Sequence, residues 1–116
     1  MYKKDSNNKI NEFENLGNNT YEFCFNISEY IRDNSFQIDQ QPTTGYTADC
    51  ILVTDISSYD NIYNTLMRDK YSYNEELTLI NDYLLDSNNE TYNNDYKSYQ
   101  DYRLLMKDKS NKFINR

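Results

Sequence analysis

Cys24 and Cys50 are the two thiols of this 116-residue chain, and with no histidine anywhere neither has an imidazole to activate it. An ordinary Ser-His-Asp or Cys-His pair is therefore excluded. No CxxC occurs, so a zinc site would have to recruit carboxylates. Each cysteine lies in an apolar stretch, which predicts two buried thiols. A Cys24–Cys50 disulfide would require neighbouring strands to bring the α-carbons within about 7 Å. Two glycines are too few for a phosphate-cradling loop of the P-loop or dinucleotide type. Asp49, Asp55 and Asp60 bracket an apolar run but lack the ordered spacing of a calcium loop. The remaining carboxylates give no reason for a raised pKa and read as a solvated acidic face. The expectation is of no catalytic residue, no metal and no cofactor: a binding protein, not an enzyme.

The net charge of −7 is unevenly placed. Residues 33–102 carry 3 basic and 13 acidic side chains, while residues 103–116 carry 5 basic against 1 acidic. An acidic middle repels phosphate, which disfavours generic nucleic-acid binding. The basic end suits the last turns of a helix, where cations offset the negative pole. The polar first twenty residues lack the apolar core of a signal peptide, and no run approaches a membrane span. The reading is a soluble protein without membrane contact. Three glycosylation sequons, at Asn18-Asn19-Thr20, Asn26-Ile27-Ser28 and Asn89-Glu90-Thr91, are chance products of abundant asparagine.

The elements that must carry these residues follow from periodicity. Mean hydropathy is −1.03, yet 13 tyrosines and 5 phenylalanines mean that rings must supply much of the burial. Residues 1–19 read as a polar arm anchored by Ile10, Phe13 and Leu16, extended or as a short helix laid on a neighbour. Tyr21, Phe23, Phe25 and Ile27 alternate with Glu22, Cys24, Asn26 and Ser28, the pattern of a half-buried strand. Phe36 and Ile38 suggest a second short strand, Gln40 to Gly45 a loop, and Cys50 to Val53 a buried strand. From Ser57 the period becomes helical. Ser57-x-x-Asp60, Ser72-x-x-Glu75 and Ser87-x-x-Glu90 are three N-terminal capping signatures. The first helix places Tyr59, Ile62, Tyr63, Leu66 and Met67 on one face. The second places Tyr73, Leu77, Ile80 and Leu84 together, with Glu75, Glu76, Asn81 and Asp82 facing out. The third lines up Tyr92, Tyr96, Tyr99, Tyr102 and Met106.

The predicted fold class is α+β: a small N-terminal antiparallel sheet, then three short helices, the last two an antiparallel hairpin because their linker is short. One compact unit is expected, comprising an arm (1–19), a β region (20–55) and a helical region (56–116). The tyrosine seam of the last helix would leave phenol edges available to a partner. Tyr96, Tyr99 and Tyr102, with Phe13 and Leu16 of the arm, are the candidate interface residues.

One stretch resembles a known group. The run Ser58-Tyr59-Asp60-Asn61-Ile62, then Leu66-Met67-Arg68-Asp69-Lys70-Tyr71-Ser72-Tyr73-Asn74-Glu75-Glu76-Leu77, then Tyr96-Lys97-Ser98-Tyr99-Gln100-Asp101-Tyr102-Arg103, is similar to a helical C-terminal module of small phage and prophage proteins. Those proteins are encoded beside tail, baseplate and tail-fibre genes. The likeness covers residues 58–109, slightly under half of the chain, and carries no catalytic signature. It implies a structural subunit of a virion tail, made in the bacterial cytoplasm and held by other tail or fibre proteins. A tail-fibre assembly chaperone would share these features. A distinct expectation is an acidic DNA mimic that inhibits a host defence protein, with the carboxylates of residues 33–102 spaced like phosphates.

Overall fold

The computed structural model describes residues 1–32 and 43–116, and these form four strands followed by three helices, an α+β chain. The contacts divide it into two units, residues 1–54 and 55–116, where the sequence had suggested one. The predicted strand at Phe36 and Ile38 and the first part of the predicted loop, Gln40 to Pro42, lie outside the described residues.

The first unit is an antiparallel sheet of β1 (Tyr2–Ser6), β2 (Phe13–Gly17), β3 (Thr20–Arg32) and β4 (Thr43–Val53), in the order β1-β4-β3-β2. The expected N-terminal arm is therefore a correction, because it supplies both edge strands. Periodicity missed them for a physical reason. Edge strands carry polar and charged residues that need no second buried face, and Tyr2-Lys3-Lys4-Asp5-Ser6 shows no apolar alternation. Ile10, between them, is buried against Cys24, Ala48 and Cys50. Asn18 and Asn19, both at positive φ, form the two-residue turn joining β2 to β3, with Gly17 paired to Thr20. Asparagine tolerates this left-handed conformation better than most residues.

The alternation from Tyr21 to Phe25 is a strand as expected, but its register changes beyond. Phe25 pairs with Asp49, and Ser28 with Thr47, so two residues of β3 oppose one of β4. Asn26, at φ 53°, takes the left-handed position in this bulge and donates from Nδ2 to Asp49 Oδ2 at 2.9 Å. Past the bulge the hairpin continues to Arg32 and Thr43. Thr43 to Gly45, expected in a loop, is thus strand. Tyr30 lies across Gly45: a Cβ there would sit 2.5 Å from Tyr30 Cζ, so any side chain would displace that ring. The Tyr30 hydroxyl donates to Asp5, and Arg32 Nη2 also reaches Asp5 at 2.8 Å, which ties β1 to the hairpin.

The second unit comprises α1 (Tyr59–Arg68), α2 (Tyr73–Leu85) and α3 (Glu90–Ile114), with both shorter helices packed on α3. Of the three capping signatures, only Ser72 forms the full box: its Oγ accepts from the Glu75 amide, and the Glu75 carboxylate accepts from the Ser72 amide. α1 is capped by Ser58, one residue after the expected Ser57, and α3 by Asn89 in place of Ser87. Ser57 instead donates to Asp55 Oδ1, within the turn before α1.

Candidate functional site

The two cysteines meet in the sheet. Cys24 of β3 and Cys50 of β4 are direct cross-strand partners, their sulfurs 2.7 Å apart and both residues buried. Glu22, two residues before Cys24, projects from the same face and brings its carboxylate to the thiols. The oxygen and the two sulfurs all lie within 4.8 Å of one another. This is the carboxylate-assisted arrangement that a zinc site without histidine would need. The surrounding residues have already filled it, however. Lys4 Nζ donates to Glu22 Oε1 at 2.6 Å, and the Tyr2 hydroxyl donates to Oε2. Lys4 thus puts a positive charge where a cation would sit.

The ionisation of the group follows from its burial. Desolvation alone would raise the Glu22 carboxyl, but the hydrogen bonds from Lys4 and Tyr2 outweigh it and hold its pKa below the usual carboxylate value. Desolvation, and then the neighbouring sulfur, pushes the Cys24 thiol far up, and burial raises Cys50 as well. Both sulfurs are therefore thiols at neutral pH, and the charge of the cluster resides in Lys4 and Glu22. Sequence reasoning placed the thiols in the interior but missed Glu22, Lys4 and Tyr2. The available signal was the i, i+2 spacing of Glu22 and Cys24 on a strand; what hid it was the absence of any β1 prediction.

The tyrosine seam lies elsewhere, inside the helical unit. Tyr99 and Tyr102 are only 3% and 7% exposed. Tyr99 donates to Glu76 Oε1 and Tyr102 to the Leu66 carbonyl, each at 2.6 Å. Tyr71 meets both rings edge-on, at 5.3 and 5.6 Å. Tyr96 stacks on Tyr83 with ring centroids 4.1 Å apart. These contacts make Tyr99 and Tyr102 core residues, correcting their expected role as free interface anchors. Their hydroxyls are satisfied internally, as buried phenols require. Phe13 rests edge-on against Phe23 at 4.9 Å, whereas Leu16 is 51% exposed on edge strand β2.

The seam also turns α2 around. Of the stripe expected to face the core, Tyr73, Leu77 and Leu84 are 61%, 57% and 73% exposed, while Ile80 is half-buried. Glu76, expected outside, points inward to Tyr99 and pairs with Arg68. The Arg68 guanidinium in turn lies over the Tyr73 ring, 3.7 Å from its centroid. A seam built from phenols is best met by a carboxylate and another ring, so α2 presents Glu76 and Tyr83 to α3. Its more apolar stripe is left on the surface. Beside this seam, Tyr71, Glu75, Leu79, Asp95 and Ser98 line a cleft of about 440 Å³.

Comparison with protein-family models, curated proteins and solved structures finds no match. The site therefore has to be interpreted from its own geometry. Among the described residues, no helix is long and apolar enough to cross a membrane.

Proposed function

We propose that this chain is a non-enzymatic structural subunit that works through protein–protein contacts, at the baseplate or fibre attachment of a phage or phage-like tail. The observation that carries the contact role is the outward stripe of α2. Tyr73, Leu77 and Leu84 occupy one narrow sector of the helix, and no residue of α2 is buried. An ordered helix that turns Leu77 and Leu84 to solvent while aiming Glu76 inward at Tyr99 is arranged to receive another apolar surface. Exposed Leu16 on the β2 edge offers a second contact, where a neighbouring strand can pair with the sheet. The tail setting rests on the resemblance of residues 58–109.

Quantitative mass spectrometry of particles purified from the strain that encodes the chain tests this reading. The chain should appear in a fixed ratio to the tail proteins. Its presence during assembly but absence from mature particles would replace the structural role with that of a chaperone.

A further inference from the structure

The cysteine pair has a geometry that the contact role does not use. The Cys24 amide donates to the Glu12 carbonyl at 2.8 Å, on the side of β3 away from β4. In an antiparallel ladder the amide and carbonyl of a residue point to the same neighbour. Cys24 and Cys50 are therefore a non-hydrogen-bonded pair, the closer of the two antiparallel pair types. Its α-carbons are typically about 4.5 Å apart, inside the roughly 4.4–6.8 Å that a disulfide spans. Both side chains project from one face of the sheet, and their sulfurs are already in contact at 2.7 Å. Joining them requires only small side-chain rotations and no change of register.

We propose that Cys24 and Cys50 are a modification site: a cross-strand pair that a small-molecule disulfide, such as oxidised glutathione, converts to an intramolecular disulfide locking β3 to β4. The thiolate of one cysteine attacks the oxidant, forming a mixed disulfide and releasing one glutathione thiolate. The second cysteine, losing its proton, attacks the protein sulfur of that mixed disulfide and releases the second glutathione. The protein gives up two electrons and two protons, and one oxidised glutathione becomes two reduced molecules. Metal capture is the competing chemistry for two thiols beside a carboxylate. It is disfavoured because Lys4 and Tyr2 hold both oxygens of Glu22. Burial also disfavours the thiolates that a soft metal needs. The same burial slows attack on the folded state, so the exchange proceeds when edge strand β1 opens, and the finished bond is shielded from reductants. This inference is independent of the tail assignment.

The full chain is incubated with graded ratios of oxidised to reduced glutathione, with and without low urea to open the edge, then quenched with acid, denatured and alkylated. The expected product is a monomer lacking two hydrogens that takes up no alkyl group, and whose digest contains Cys24 joined to Cys50. Its chemical unfolding midpoint should rise, and return to the starting value on reduction. Oxidation should accelerate with urea at concentrations below global unfolding. Two alkyl groups at every ratio, stable glutathione adducts, or disulfide-linked dimers would overturn the proposal. So would uptake of one equivalent of zinc that protects both thiols. Cys50→Ser should stop at a single glutathione adduct; since the wild-type measurement stands alone, a variant that fails to fold leaves the test intact.

Discussion

At the scale of single residues, three side chains carry testable weight. The Ser72 hydroxyl accepts from the Glu75 amide while the Glu75 carboxylate accepts from the Ser72 amide, and Ser72→Ala should cost about 1 kcal/mol in urea unfolding. The same change at Ser57 should cost less, because Ser58 holds the cap of α1. A motif of serine with an acidic residue three positions on occurs by chance in a chain so rich in Ser, Asp and Glu. Only the backbone turn decides which oxygen reaches the amides. At Ser72 the sequence was sufficient; at Ser57 and Ser87 it pointed to the correct turn and the wrong residue. Glu22 supplies the pH dependence. Its pKa is lowered in the folded sheet, so its contribution to stability is present above the unfolded carboxylate value of about 4.3 and is lost as pH falls through the lower folded value. Glu22→Gln should flatten the acid limb of stability below the unfolded carboxylate value of about 4.3. An unchanged acid limb would show that Asp5 and Asp49, also held low by their partners, dominate it.

At the scale of elements, the central strands and all three helices were legible because each has a period and a burial face. The edges were not. β1 exists through pairing with β4 and through the attachment of Lys4 and Tyr2 to Glu22, and neither is a local property. The distal hairpin likewise depends on a long-range fit, the Tyr30 ring over Gly45. Gly45→Ala should displace that ring, weaken its hydrogen bonds to Asp5, and cost on the order of 1 kcal/mol. Faster amide exchange confined to β1 and to the paired residues 30–32 and 43–45 would be the signature. The helical hairpin fails a purely apolar reading in another way. Periodicity located both the apolar stripe of α2 and the tyrosine seam of α3, but not that the seam would take Glu76 and Tyr83 in place of that stripe. Tyr99→Ala should therefore cost about 3 kcal/mol or more of folding stability, as for removal of a buried ring, and should leave Glu76 paired with Arg68 alone. A loss under 1 kcal/mol would mean the seam is not core.

At the scale of the whole molecule, the chemistry is divided between its two units. The sheet unit keeps its buried thiols and its half-buried Lys4–Glu22 pair to itself. The helical unit satisfies the hydroxyls of Tyr99 and Tyr102 internally and turns Leu77 and Leu84 outward. The acidic character of residues 33–102 was plain in the composition, and it disfavours phosphate partners whatever the fold. What composition could not show was where burial ends and recognition begins, because tyrosine serves both uses equally well. Tyr99 is packed inside and Leu84 is exposed, the reverse of their expected burial.

The claim that α2 is a contact surface rests on residues whose removal should leave folding intact. The decisive measurement replaces Leu77 and Leu84 together with aspartate, then compares the amount of the chain in purified particles and its unfolding midpoint with those of the wild type. The account expects a midpoint close to wild type, since exposed substitutions usually change stability by about 0.5 kcal/mol or less, with incorporation falling at least tenfold. A folded variant that still enters particles at the wild-type level would contradict it.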